Sequence, residues 1–276
     1  MTMCGQGGAV LHGWRRALWL VLAAAGLAGC GNLPPPGGGS GREIVTASDE
    51  TEAHKRARIR LELASAYFGQ GQATTALDEL KQALQADPDM PQAYNLRGLI
   101  YASLNEEQLA EESFRRAVQL DSRDADVMQN YGWFLCQRGR YNDANTQFDL
   151  AAAQPRNRDV TKTLLAKGVC QARAGTLPEA EQTLARAYEM DPANPAISVN
   201  LADVLYRRGE YERARFYIRR VNNVPQLANA ETLWLASRIE HKLGNTMGAM
   251  DYGNQLKQRY PQSRQAADFE RRRFDE

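Results

Sequence analysis

Tyr94-Asn95-Leu96-Arg97-Gly98-Leu99-Ile100-Tyr101, followed by Ala110-Glu111-Glu112-Ser113-Phe114-Arg115-Arg116-Ala117, recurs in diluted form along most of the chain. An alanine with a bulky residue four positions later appears as Ala76/Leu80, Ala110/Phe114, Ala144/Phe148, Ala180/Leu184 and Ala214/Ile218, and more weakly at Ala249. The intervals between these alanines are 34, 34, 36, 34 and 35 residues. A second alanine follows seven residues on, at Ala83, Ala117, Ala151 and Ala187. Spacings of four and seven place these residues on one face of a helix. Twelve residues before each key alanine stands a small residue: Ala64, Gly98, Gly132, Gly168 or Ala202. Small residues on two facing helices let the helix axes approach closely. Gly71, Gly139, Gly175, Gly209 and Gly244 come five before the key alanine, where a helix C-cap needs φ > 0. Pro88, Pro192, Pro155, Pro225 and Pro261 fall at or near the end of five of the six units, and Ser122 holds that place in the second. A proline forces the preceding residue out of the α region and stops the second helix.

This 34-residue helix–turn–helix unit resembles the tetratricopeptide repeat. The spacing predicts six units, at about 57–90, 91–124, 125–158, 161–194, 195–228 and 230–263. The sixth is the poorest, with Ser237 and Gly253 in slots that are usually small and bulky. A final helix from Ser263 to about Arg273 is expected to cover the open end. The expected fold is therefore all-α: one superhelical solenoid over 47–276, its stability nearly a sum over neighbouring repeats.

Composition agrees with one soluble array. The 276 residues are 43% hydrophobic and 24% charged, with a formal charge of +1 from 34 basic and 33 acidic residues. So balanced a charge gives no field for nucleic acid. Only three histidines (His12, His54, His241) and four cysteines occur. CxxC, HExxH, GxxxxGK[ST], GxSxG and GxGxxG patterns are all missing from the sequence. These observations argue against an enzyme, a metal, a cofactor or a small-molecule substrate.

The first thirty residues have a different composition. Arg15 and Arg16 precede twelve small and apolar residues, Ala17 to Ala28, which end in Leu27-Ala28-Gly29-Cys30. Twelve residues suit the apolar core of a signal peptide and are short for a spanning helix. The final tetrapeptide resembles the bacterial lipobox. The expectation is a signal peptide over 1–29 and acylation of Cys30. Each buried methylene contributes about 0.8 kcal/mol, so several acyl chains would hold the protein on a membrane. The next residue is Gly31 and not an aspartate, so the lipobox resemblance implies the periplasmic face of the outer membrane. Gly31 to Thr46, with three prolines followed by three glycines, reads as a tether over 30–46.

Cys136 and Cys170 remain. They fall on the first helices of the third and fourth units, which are neighbours in such a stack. In an oxidising compartment they can form a disulfide or stay as two buried thiols.

In a tetratricopeptide superhelix, slots 2, 5, 9, 12 and 13 of each first helix face the groove. Those slots here include Leu61, Phe68, Asn95, Leu99, Gln129, Trp133, Leu165, Val169, Val199, Tyr206, Arg207 and Trp234. The mixture suits an extended or helical peptide, and each residue suits inter-repeat packing equally well. Arg58 and Asn95 are too few for a clamp on a peptide carboxylate.

The Asn130-Tyr-Gly-Trp-Phe-Leu-Cys136 segment with Arg138-Gly-Arg-Tyr141, then Gly168-Val-Cys170 and Leu233-Trp-Leu235, narrows the resemblance. Together with the lipobox, tether and six repeats, the chain resembles the type IV pilus biogenesis/stability lipoproteins, the pilotins of the pilus secretin. That resemblance implies binding to the secretin or another pilus assembly protein, and help in secretin localisation or multimerisation. A lipoprotein adaptor of outer-membrane protein assembly or of peptidoglycan enzymes is the alternative.

Overall fold

A computed structural model describes residues 51–275 of the chain. The expected signal peptide, Cys30 and the tether over 30–46 lie outside the described residues. Among the described residues there are thirteen helices and no strand. Six antiparallel pairs follow one another: α1 (Glu52–Gly69) with α2 (Ala73–Ala86), α3 (Pro91–Ser103) with α4 (Glu107–Leu120), α5 (Ala125–Gln137) with α6 (Tyr141–Ala152), α7 (Val160–Ala174) with α8 (Leu177–Met190), α9 (Pro195–Arg207) with α10 (Tyr211–Asn222), and α11 (Ala230–Lys242) with α12 (Thr246–Arg259). A short α13 (Arg264–Glu270) packs on α11 and α12. Odd-numbered helices stack on odd-numbered neighbours, so α1, α3, α5, α7, α9 and α11 share one face.

The repeating residues have the places their spacing implies. Ala76, Ala110, Ala144, Ala180 and Ala214 are fully buried, as are Leu80, Phe114, Phe148 and Leu184. Fully burying a side chain of leucine or phenylalanine size contributes about 1.5–3 kcal/mol. The partner small residue is required sterically. A Cβ added at Gly98 would come within 2.9 Å of the Phe114 ring, and one at Gly132 within 3.0 Å of Phe148. The turn glycines all have positive φ, from 73° to 82°. The second unit has no glycine at that slot, and Asn105 takes the left-handed conformation there with φ 60°. Asparagine tolerates this region better than most side chains.

Two boundaries differ from the simple repeat. α1 starts at Glu52, five residues before the first unit's expected start, because Thr51 caps it and its hydroxyl accepts from the His54 amide at 3.1 Å. The irregular 36-residue interval is absorbed between α6 and α7. There Asn157 donates to the Ala151 carbonyl at 2.9 Å and to the Thr163 hydroxyl at 3.2 Å, and Asp159 caps α7. Across this junction the structure links Cys136 of α5 to Cys170 of α7, with the Cα atoms 5.8 Å apart.

The sixth pair departs from the pattern in a way that accounts for α13. Gly253 leaves a hole where the other second helices carry a bulky side chain, and a Cβ there would overlap the Phe269 ring. Phe269, from α13, supplies the missing bulk and is buried. Ser237 is fully buried, and its hydroxyl donates to the Ala249 carbonyl at 2.8 Å.

Candidate functional site

The face of the first helices carries an open pocket of about 390 Å³, built from α3, α5, α7 and α9. Leu99, Trp133, Leu165, Ala166 and Val169 give it an apolar floor. Asn130, Asn200 and Lys162 form a polar rim, and Gln129 lines the pocket from a buried position beneath it. Apolar pockets of this size with a few fixed polar groups suit one or two buried ligand side chains.

These polar groups are ordered by bonds that run from one repeat to the next. The Thr163 hydroxyl donates to Gln129 Oε1 at 2.9 Å. Asn130 Nδ2 donates to Asn95 Oδ1 at 3.2 Å. The Arg173 guanidinium lies 4.9 Å from the Trp133 ring centroid, a cation–π contact that orients the indole at the pocket edge. The Cys136–Cys170 link directly follows the pocket on the same two helices, next to Val169 on α7 and three residues after Trp133 on α5, so it holds the α5 and α7 walls together.

Of the groove residues expected from the sequence, Leu99, Gln129, Trp133, Leu165 and Val169 meet in this pocket. Asn95 is one bond away, through Asn130. Leu61 and Phe68 are not part of it. They are partly buried against the first repeat's core of Ala64, Ala76 and Leu80. Arg207 donates to the Ala172 carbonyl at 2.9 Å and sits 3.8 Å from Asp203. Burial pushes the Asp203 carboxyl above the usual range, and the charges of Arg207 and Arg238 oppose that rise.

Tyr206 and Trp234 are corrections to the expected groove. Both lie on the first-helix face, but both are only 8% exposed. The reason is that the chain's own C-terminal segment lies over them, and Phe274 packs on Trp234 with ring centroids 5.4 Å apart. The groove is therefore open across repeats two to five and closed at its C-terminal end.

Asn130, Ala166, Lys162 and Asn200 belong to the pocket and were not among the expected residues. Asn130, Ala166 and Asn200 share slot 6 of their repeats, directly after the inward slot 5. That common slot is the signal that would have found them.

Tetratricopeptide-repeat family patterns match residues 61–125 and 135–195, and a second such pattern matches 171–233. The chain is 28% identical to the type IV pilus assembly protein PilF of Pseudomonas aeruginosa, over 92% of this chain and 98% of that protein. The crystal structure of PilW, described as a widely conserved type IV pilus biogenesis factor, superposes with a TM-score of 0.72 at 30% identity, covering 77% of this chain and 97% of PilW. A solved structure of Pseudomonas aeruginosa PilF superposes with a TM-score of 0.70 at 26% identity, covering 80% of this chain and all of that one. The helix pairs, their interval and near-full-length similarity agree: the chain belongs to the tetratricopeptide-repeat proteins of type IV pilus biogenesis, the group that contains PilF and PilW.

Proposed function

We propose that the chain is a lipid-anchored adaptor of the periplasmic face of the outer membrane, which binds secretin subunits or another pilus assembly protein and promotes secretin localisation and multimerisation. The observation that carries the binding half is the open pocket of Leu99, Trp133, Leu165 and Val169 with its amide rim. An aliphatic or aromatic side chain of a partner segment fills the floor. Amides at the rim bond the segment's backbone, the usual division of labour in peptide grooves. The role is non-catalytic: the protein binds and positions.

The carrier half rests on the Leu27-Ala28-Gly29-Cys30 motif. Acyl chains on Cys30 confine the captured subunit to the membrane surface. Confinement raises its effective concentration, which favours ring assembly without any new contact. Keeping Cys136 and Cys170 oxidised fits a periplasmic address.

A photo-crosslinking side chain at position 169, introduced into the full chain in cells that assemble pili, tests the binding half. The expected adduct is with the secretin or another pilus assembly protein. Adducts confined to peptidoglycan enzymes or barrel-assembly factors would sink it. Cys30→Ala tests the carrier half. The folded, soluble variant should leave secretin multimers depleted at the outer membrane, and normal multimers there would show that the lipid carries nothing.

A further inference from the structure

The C-terminal segment that closes the groove binds it as a peptide ligand would. After α13 the backbone turns at Arg272, whose φ is 56°, and the Arg273 amide donates to the Asp268 carbonyl at 2.9 Å. This turn lays Phe274 and Asp275 across α9 and α11. The Phe274 ring stacks on His241, with centroids 4.1 Å apart and planes 16° from parallel, and it also packs on Trp234. The Phe274 carbonyl accepts two bonds, from the Tyr206 hydroxyl and from Arg238 Nε, both at 3.2 Å. The Asp275 carboxylate pairs with Lys242 Nζ.

These contacts have the three parts of a recognition site: a slot for one ring, two donors on one backbone carbonyl, and a cation for the next side chain. The residues that make them occupy slots 5, 9, 12 and 13 of repeats five and six. Slots 5 and 9 also build the open pocket in repeats two to four. The tail is thus a ligand bound in cis on the same surface.

The tail also touches the cap, because the Phe274 ring meets the Phe269 ring edge-on with centroids 5.9 Å apart. Phe269 fills the Gly253 hole and completes the sixth repeat. Beyond α13 the tail adds one buried ring, two bonds to a single carbonyl and an ion pair whose Asp275 side chain is 73% exposed. An exposed pair of this kind contributes little to stability. Arg207, Arg238 and Lys242 make this end of the groove cationic, which favours an acidic ligand.

We propose that repeats five and six form a second peptide site, distinct from the open pocket, that takes a partner segment in which an aromatic residue is followed directly by an acidic one. Phe274-Asp275 is its internal ligand and competes with that segment. Occupation by a partner frees the tail. This reading does not depend on which protein fills the open pocket.

The test uses the full mature chain and a fluorescein-labelled peptide of residues 270–276 as probe, read by fluorescence anisotropy. Phe274→Ala should bind the probe at least tenfold more tightly than the parent chain. Adding Arg238→Gln or Lys242→Glu should abolish the gain, and a probe with alanine for the phenylalanine should not bind. Equal binding by parent and Phe274→Ala chains, or no binding by either, overturns the proposal. If Phe274→Ala loses the cooperative unfolding of the parent, Asp275→Lys replaces it. That variant keeps the buried ring, loses the ion pair, and should still gain measurable binding; no gain overturns the proposal. Sedimentation of the parent chain covers the remaining occupant. A concentration-dependent dimer that disappears in Phe274→Ala would give the site to the tail of a second copy and overturn the partner reading.

Discussion

The Phe269 ring of α13 occupies the space that residue 253 leaves empty by being glycine. The two residues belong to different helices and do for the sixth repeat what Phe114 or Phe148 does within a single repeat. The last helix pair is therefore completed from outside its own 34 residues, which lets α13 act as the end cap that a repeat array needs.

Gly253→Ala tests that relationship. A Cβ at 253 overlaps the ring, and overpacking of this kind costs about 1–3 kcal/mol. In a Phe269→Ala background the overlap is gone, and the better helix propensity of alanine, about 1 kcal/mol over glycine, becomes visible. The expected double-mutant cycle in urea has opposite signs on its two arms. Equal destabilisation on both arms would mean that the two residues do not interact.

Reduction should loosen the centre of the array. The Cys136–Cys170 link closes a loop of about 35 residues, worth about 4 kcal/mol in the chain-entropy model and commonly about 2–4 kcal/mol when measured. The mature chain carrying Cys30→Ala, in urea with and without dithiothreitol, should show a lower midpoint when reduced. Cys136→Ala with Cys170→Ala should behave as the reduced chain does. Thiol labelling of the unreduced, unfolded chain should find no free cysteine; two free thiols would refute the link.

Acid should weaken the junction of repeats two and three through Glu111. Burial alone would raise its carboxyl, but hydrogen bonding and charge from Arg140, the charge of Arg115 and the Tyr131 hydroxyl outweigh burial and hold it below its ordinary value of 4.5. Arg140 Nη1 lies 2.7 Å and the Tyr131 hydroxyl 3.1 Å from the same oxygen. A carboxyl with a lowered folded-state pKa contributes stability that is complete above its unfolded pKa. That stability is lost as the pH falls through the folded value. Glu111→Gln should therefore be less stable than the parent at pH 7. The gap should begin to close as the pH drops below 4.5 and vanish once Glu111 is protonated in the folded chain. A gap that stays constant from pH 7 to pH 3 would show that the ionised carboxylate contributes nothing.

The repeat was legible because its cause is local and recurs. Ala110 and Phe114 must face one way, Gly98 must admit the Phe114 ring, and each further unit repeats the same steric argument. Asn105 escaped the glycine pattern only because asparagine also accepts positive φ. Residues whose role depends on a distant segment were not legible. Gly253 looked like a defect until Phe269 arrived from another helix. Tyr206 and Trp234 had the right slots for a groove, but slot numbers cannot say that Phe274 returns to cover them. Asn130, Ala166 and Asn200 were missed for a smaller reason: slot 6 also lines the pocket, beside slot 5.

Partner binding should depend on Trp133 more than on any exposed aromatic elsewhere. Trp133 stands at the pocket edge, held under the Arg173 guanidinium, with Leu99, Leu165 and Val169 below it. Tryptophans in such settings commonly contribute about 2–4 kcal/mol to an interface. At about 1.4 kcal/mol per decade, Trp133→Ala should raise the dissociation constant for the proposed partner roughly 30-fold or more. Val169→Glu, which places an unpaired charge on the floor, should do the same without removing the indole. Phe216 supplies the control. It is 55% exposed on α10, a second helix outside the pocket, and Phe216→Ala should leave the affinity unchanged. Titration calorimetry with the purified partner measures all three. If Phe216→Ala weakens binding and both pocket variants do not, the partner docks on the second helices, and the first-helix pocket is not its site.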